Sequence, residues 1–186
     1  MTCIVGIVDK KGNVIIGGDS AGVAGLEITR RKDEKVFIKG NMIFGYTSSF
    51  RMGQLLRYSL TIPHHDPTKS DYEYMCTDFI EAVRQLFKDK GYSNIKENEE
   101  SGGFFLVGYN GNLYDVECDF QVGMNYDNYD AVGCGDNFAK GVLFIRNKES
   151  ETHQTVELAL MAAAHHSAGV CEPFVILELK NKKEKK

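Results

Sequence analysis

Short apolar runs punctuated by turn residues fill the N-terminal part of the chain. Cys3–Val8 (CIVGIV) and Val14–Gly18 (VIIGG) flank Asp9-Lys10-Lys11-Gly12-Asn13, turn chemistry that joins two strands of a hairpin. Cys3, Val5 and Ile7 fall on one face of the first strand and Ile4 and Val8 on the other. Neither face is polar, so the sheet is predicted to be covered on both sides. Residues 35–39 (KVFIK) and Met42–Tyr46 (MIFGY) join through Gly40-Asn41. A third hairpin joins 104–109 (FFLVGY) to 112–117 around Asn110-Gly111, the dipeptide that tight type I′ turns favour.

Between the hairpins the apolar period lengthens to that of helices. Met52, Leu55, Leu56 and Leu60 mark a helix over about 49–60. Met75, Phe79, Val83, Leu86 and Phe87 mark another over about 71–90, with Ser70 and Glu73 spaced as a capping box and Gly91 as its stop. A helix opening at Asp136 carries Phe138, Val142, Leu143 and Ile145 as its apolar positions. The next carries Val156, Ala159, Leu160 and Ala163 and ends near Gly169; residues 173–179 read as a last strand. The polar stretches 88–103 and 126–130 read as loops, and the lysine-rich end 180–186 as a disordered tail. Antiparallel strand pairs separated by helix pairs predict an α+β fold in layers, with one domain over 1–179.

Composition narrows the class. The 186 residues are 42% hydrophobic and 26% charged, with 19 Gly and 3 Pro, as in globular proteins. No apolar run is long enough for a membrane span, and the N-terminus lacks the pattern of a secretory signal, so a cytoplasmic protein without membrane partners is expected. Five cysteines without C-x-x-C spacing predict free thiols and no zinc site. Net charge is −4; the last seven residues hold five Lys and one Glu, which leaves −8 on the body. That balance excludes nucleic acid as a partner, because phosphate contacts need clustered cations. There is no P-loop and no G-x-G-x-x-G, and no cofactor or metal is expected. His64-His65-Asp66 and His165-His166 place adjacent rings on diverging directions, which fits surface or packing roles better than ligation.

Hairpin arithmetic brings chemistry-bearing residues together. A two-residue first turn gives paired numbers summing to 21 or 23, so Thr2 lies opposite residues 19 to 21, with Asp19 beside it. In the second hairpin the sum is 81, which sets Lys35 opposite Tyr46 and diagonal to Gly45. Methionine is usually excised before a small residue such as threonine, which would leave an α-amine on Thr2. Its reference pKa of about 7.7–8.0 suits a general base for the threonine's own hydroxyl. A lysine ammonium would lower the pKa of that hydroxyl, a carboxylate would hold the lysine, and a backbone N–H at a glycine would stabilise an oxyanion.

The stretches 2–20 (TCIVGIVDKKGNVIIGGDS), 35–46 (KVFIKGNMIFGY), 131–139 (AVGCGDNFA) and 167–171 (SAGVC) resemble the bacterial HslV protease and the proteasome β-subunits, which are N-terminal-nucleophile hydrolases. The resemblance implies a four-layer αββα sandwich of two antiparallel sheets flanked by helices. It also implies assembly into a homo-oligomeric double ring of hexameric or heptameric rings. Such a ring would enclose a chamber that cleaves unfolded polypeptides and would be fed by an ATPase unfoldase ring. Thr2 matches the family's nucleophile, Asp19 the carboxylate of the G-G-D motif, Lys35 the lysine beside the nucleophile, and Gly45 the oxyanion-hole glycine. Cys134 stands where the family usually has a serine, a weaker hydrogen-bonding group. Two other readings remain open: an amidase acting on a small amide by the same nucleophile, and a catalytically silent ring-forming or scaffold subunit. Cys3 as a nucleophile would require loss of both Met1 and Thr2; a buried strand cysteine is the simpler reading.

Overall fold

A computed structural model describes residues 1–96, 99–146 and 152–181. The first hairpin is β1 (Cys3–Val8) and β2 (Val14–Gly18). Ile4 pairs with Gly18 and Val8 with Val14, so the paired numbers sum to 22, not 21 or 23. The connection is five residues, caged by Asp9. Its carboxylate accepts the N–H groups of Lys11 and Asn13 and the Asn13 amide, each at 2.8 Å, while Gly12 takes φ +79°.

The next hairpin, β3 (Ala21–Ala24) with β4 (Glu27–Arg30), was not legible as strands, because every residue of β4 is exposed and none of its pattern reports a core. In β5 (Val36–Lys39) and β6 (Met42–Tyr46) the expected sum of 81 holds, and the Tyr46 N–H donates to the Lys35 carbonyl at 3.0 Å.

The helix expected over 49–60 is α1 (Phe50–Gln54) continuing as a π-helical turn (Leu55–Ser59), capped by the Ser49 hydroxyl. The next runs as α2 (Asp71–Tyr74), a second π-helical turn (Met75–Phe79) and α3 (Ile80–Asp89). The Ser70 hydroxyl accepts the Glu73 N–H at 3.1 Å, and Gly91 ends the run at φ +63°.

The stretch 88–103 is not all loop. Asn94–Lys96 (β7) and Glu99–Ser101 (β8) pair as short polar strands pinned by Arg84 to Glu100 at 2.6 Å. β9 (Phe105–Tyr109) and β10 (Asn112–Val116) turn at Asn110 and Gly111, φ +48° and +81°. After β11 (Val122–Gly123) comes β12 (Tyr129–Gly133), so the expected polar loop 126–130 ends inside a strand. Asp130 there is buried against Lys140 at 2.9 Å.

Helices α4 (Asp136–Arg146) and α5 (Thr152–His166) pack on each other, and β13 (Val175–Leu179) closes the chain's last sheet. On α4 the buried residues are Ala139 and Leu143. Phe138 and Ile145, read from the sequence as core positions, are exposed together with Phe144. Asn181 is tied to Asn13 through its N–H at 3.0 Å, while the rest of the expected tail, 182–186, lies outside the described residues.

Beside the two-stranded pairs β3-β4 and β7-β8, the described strands form two larger antiparallel sheets, in the orders β12-β1-β2-β13 and β11-β10-β9-β6-β5. Three apolar layers hold four structural ones. Cys3, Val5, Ile7 and Ile15 face α4 and α5. Ile4, Val14, Ile16, Val36, Ile43 and Leu106 fill the space between the sheets. Phe37, Phe44, Phe105 and Val107 pack against the helices over residues 50–89. This is the αββα sandwich, and the double-sided apolar pattern of β1 is its direct cause. No described helix is long and apolar enough to cross a membrane.

Burial pushes the phenol of Tyr46 up to about 12 and raises those of Tyr74, Tyr109 and Tyr114 as well. Their stabilising contribution is complete below the unfolded value of about 10 and is lost as pH rises toward the folded values. Urea unfolding followed across pH should therefore show stability falling above about pH 10, with phenolate absorbance of these rings appearing together with unfolding. Full phenolate titration at the ordinary value in an intact fold would contradict it.

Candidate active site

Thr2 precedes β1, Asp19 follows β2 and Lys35 precedes β5, so three chain segments and both sheets meet at one end of the sandwich. Gly18 permits this approach. A β-carbon there would come within 2.9 Å of Ile4 Cδ1 and Val36 Cγ2, the residues that join the sheets beside Asp19 and Lys35.

The Lys35 ammonium donates to Thr2 Oγ1 at 2.7 Å, to Asp19 Oδ1 at 2.8 Å and to the Ala21 carbonyl at 2.7 Å, which uses all three of its protons. Asp19 is held in turn by the N–H groups of Cys3 (3.0 Å) and Ala21 (2.7 Å), with Cys171 N at 3.4 Å. The lysine and aspartate side chains are 2% and 0% exposed. Burial lowers the Lys35 pKa, and the Asp19 charge opposes that shift. The cluster thus aims one positive charge at one hydroxyl in a site shielded from water.

Cys134 faces the other side of Thr2. The Thr2 N–H donates to Cys134 Sγ at 3.3 Å, the Thr2 carbonyl lies 3.4 Å from the same sulfur, and the Ser167 hydroxyl donates to it at 3.2 Å. Gly133, at φ +109°, makes this contact possible, since a β-carbon there would collide with the Thr2 carbonyl oxygen. Ser167 sits in the stretch 167–171 but carried no role in the sequence reading. Its part depends on α5 ending beside Cys134, which no local pattern announces.

Gly45 does not join the site. It lies within β6, paired with Val36 on one side and Leu106 on the other, and its α-carbon faces the inter-sheet core. A β-carbon there would come within 2.5 Å of Ile4 Cγ2, so this glycine serves sheet packing. The backbone that lines the Thr2 cavity is Thr47-Ser48-Ser49. Ser48 takes φ +66°, its hydroxyl accepts the Phe104 N–H at 3.1 Å, and its own N–H donates to no described group. A free N–H beside a cation-contacted hydroxyl is what an oxyanion needs. The sequence signal for it was weak, because only the strained backbone distinguishes Ser48 from its neighbours.

Two hollows open beside Met1 and Ser48, and the smaller of them is lined by Thr2. One of about 60 Å³ is walled by Val23, Lys35, Tyr46 and Phe50. The other, about 500 Å³, is walled by Glu117, Asp130, Gly133, Cys134, Asp136 and Lys140, and Met1 and Ser48 border both. A larger hollow of about 730 Å³ beside β7 and β8 is polar and holds no lysine-activated hydroxyl. Among the described residues no group of three or more His, Cys, Asp and Glu side chains could hold a metal ion. His65 instead stacks on Tyr74 and bonds Tyr109 at 2.7 Å.

Removing one member of the buried pair strands the other. Asp19→Ala should cost about 3–5 kcal/mol in urea unfolding at neutral pH, and Asp19→Leu combined with Lys35→Met should recover much of that. A loss below about 1 kcal/mol, the scale of an exposed pair, would contradict this geometry.

No protein-family model and no curated protein matches the chain. Solved structures do. BPH of Thiobacillus denitrificans, in complex with epoxomicin, superposes with a TM-score of 0.76 at 18% identity, over 95% of this chain and 98% of that one. HslV from Trypanosoma brucei gives 0.68 at 16% identity over 96% and 99%. Anbu, an ancestral beta-subunit from Yersinia bercovieri, gives 0.66 at 13% identity over 96% and 81%. The chain therefore has the fold of the proteasome-like N-terminal-nucleophile hydrolases.

Proposed function

We propose that the chain is a subunit of a threonine-type endopeptidase that cleaves unfolded polypeptides, with Thr2 as nucleophile once Met1 is removed. The observation that carries this reading is the 2.7 Å contact of a buried lysine ammonium with Thr2 Oγ1, the lysine itself anchored by Asp19.

With Met1 attached, the Thr2 nitrogen is an amide and cannot act as a base, and Thr2 Oγ1 donates to the Met1 carbonyl at 2.5 Å. Removal of Met1 turns that nitrogen into an amine with a reference pKa of about 7.7–8.0. The amine takes the Oγ1 proton while Oγ1 bonds to the substrate carbonyl carbon. Lys35 stabilises the developing oxygen charge, and the Ser48 N–H receives the oxyanion. The ammonium returns its proton to the leaving nitrogen as the C–N bond breaks, which leaves an ester on Thr2. A water deprotonated by the same amine then attacks the ester, and cleavage of the C–O bond restores the hydroxyl. Cys134 and Ser167 orient the Thr2 nitrogen, and Asp19 positions the lysine.

The resemblance of residues 2–20, 35–46, 131–139 and 167–171 to the HslV protease and the proteasome β-subunits supports a cytoplasmic double ring fed by an ATPase unfoldase ring. Phe138, Phe144 and Ile145 are exposed together on α4, and Met161 is exposed on α5, which packs against it; large apolar groups gathered on one helix pair support burial against other subunits. Native mass spectrometry reads this directly as a ring-sized species.

The Met1-free protein should hydrolyse a denatured polypeptide, with activity rising as pH passes through about 7.7–8.0 and the amine loses its proton. Thr2→Ala should lower turnover by at least about a thousandfold without altering the assembly. Equal turnover in that variant, or in protein that keeps Met1, would overturn the reading.

A further inference from the structure

The ladder between β6 and β9 is rerouted where it reaches the Thr2 cavity. Its last pair is Tyr46 with Phe105, which sets Thr47 opposite Phe104. Alternate pairs of antiparallel strands exchange two hydrogen bonds, and this pair makes the first of them, from the Thr47 N–H to the Phe104 carbonyl at 3.1 Å. The return bond, from the Phe104 N–H to the Thr47 carbonyl, is replaced on both sides. The Thr47 carbonyl accepts the Ser49 N–H at 2.7 Å, which closes a tight turn about Ser48 at φ +66°. The Phe104 N–H is taken by the Ser48 hydroxyl at 3.1 Å. A side-chain oxygen thus stands in for a backbone carbonyl that has turned away.

This exchange sets the direction of one peptide group. The Thr47 carbonyl and the Ser48 N–H belong to the same trans peptide and point in opposite directions. With the carbonyl directed at Ser49, the Ser48 N–H is left for the cavity that Thr2 lines. A carbonyl that swung back to Phe104 to complete the ladder would carry the Ser48 N–H away with it.

We infer that the Ser48 hydroxyl is a positioning group for the reaction: it occupies the Phe104 N–H and so holds the Thr47–Ser48 peptide in the orientation that offers an N–H to the oxyanion. The inference rests on the peptidase reading above. Positive φ is uncommon for a residue with a side chain and persists where surrounding contacts impose it. Those contacts are built in. Gly103 makes room for the serine, since a β-carbon there would come within 3.1 Å of Ser48 Cβ and 3.2 Å of its Oγ. On the far side of the turn the Ser49 hydroxyl accepts the Arg51 N–H at 3.1 Å as the cap of α1. Without the Ser48 hydroxyl, the Phe104 N–H loses its acceptor, and the Thr47 carbonyl is the group that the ladder geometry offers in its place.

The test uses full-length Met1-free protein carrying Ser48→Ala or Ser48→Gly, with a peptide amide as substrate and a peptide aldehyde of the same sequence as inhibitor. Thr2 Oγ1 bonds to the aldehyde carbon and its proton passes to the aldehyde oxygen, which then needs the same N–H as the oxyanion. Both variants should lower kcat at least about tenfold, toward the roughly hundred- to thousandfold loss that follows removal of one oxyanion donor, with KM changed by less than about threefold. The inhibition constant of the aldehyde should rise by the same factor as kcat falls. Ser48→Gly relieves the positive φ, so its loss of turnover cannot come from backbone strain. A thermal melt shows whether each variant is folded. Wild-type kcat in either folded variant, a loss confined to KM, a fall in kcat with aldehyde affinity unchanged, or loss of the fold in both variants would overturn the positioning role and leave the peptidase reading intact. No cleavage of any peptide or denatured polypeptide by the wild type would overturn both.

Discussion

A single buried ion pair ties the two sheets of this molecule together at one end. Lys35 enters from the edge strand of one sheet and Asp19 from the strand end of the other, and they meet at 2.8 Å with almost no exposure to water. Such a pair is costly to bury, and it is tolerated because every donor and nearly every acceptor is satisfied. Three protons of the lysine reach Thr2, Asp19 and Ala21, and the carboxylate gathers backbone N–H groups from β1 and β3. The pair therefore fixes the Thr2 hydroxyl, the start of β1 and the departure of the β3–β4 hairpin at once.

Glycine is the device that lets this happen. Gly18 and Gly45 remove side chains where the sheets close on each other, and Gly133 removes one where the end of β12 reaches the Thr2 backbone. Gly17 does the same toward the helices, since a β-carbon there would come within 2.5 Å of Val156 in α5. Close packing at these points brings residues 2, 19, 35 and 134, distant along the chain, within one hydrogen-bonded cluster. The chemistry of the cleft is in this sense a consequence of how tightly the layers pack.

Much of this was legible in the sequence, and the reasons are specific. The double-sided apolar run of β1 announced a covered sheet, and the two-residue turn at Gly40-Asn41 set the register that puts Lys35 opposite Tyr46. Asp19, Lys35 and Cys134 follow from strand ends and motif. What escaped depended on tertiary placement. The Asp9 cage shifted the first register by one, β4 and β7 carry no apolar pattern, and β12 opens with Tyr129-Asp130, residues that look like a turn until Asp130 meets Lys140. Gly45 was assigned to the cleft on the family resemblance and on its place diagonal to Lys35 in the ladder; its α-carbon faces the core, and the free N–H belongs to Ser48, three residues on.

The central claim is that a lysine-activated Thr2 hydroxyl forms the covalent bond. It is tested most directly by quenching the Met1-free protein in acid during turnover of an alanyl peptide ester and locating the acyl group by peptide mapping. The account predicts an acyl increment on the peptide that begins with Thr2, absent from a folded Lys35→Met variant. An acyl group on Cys134 or Cys3, or one that forms equally without Lys35, would contradict it.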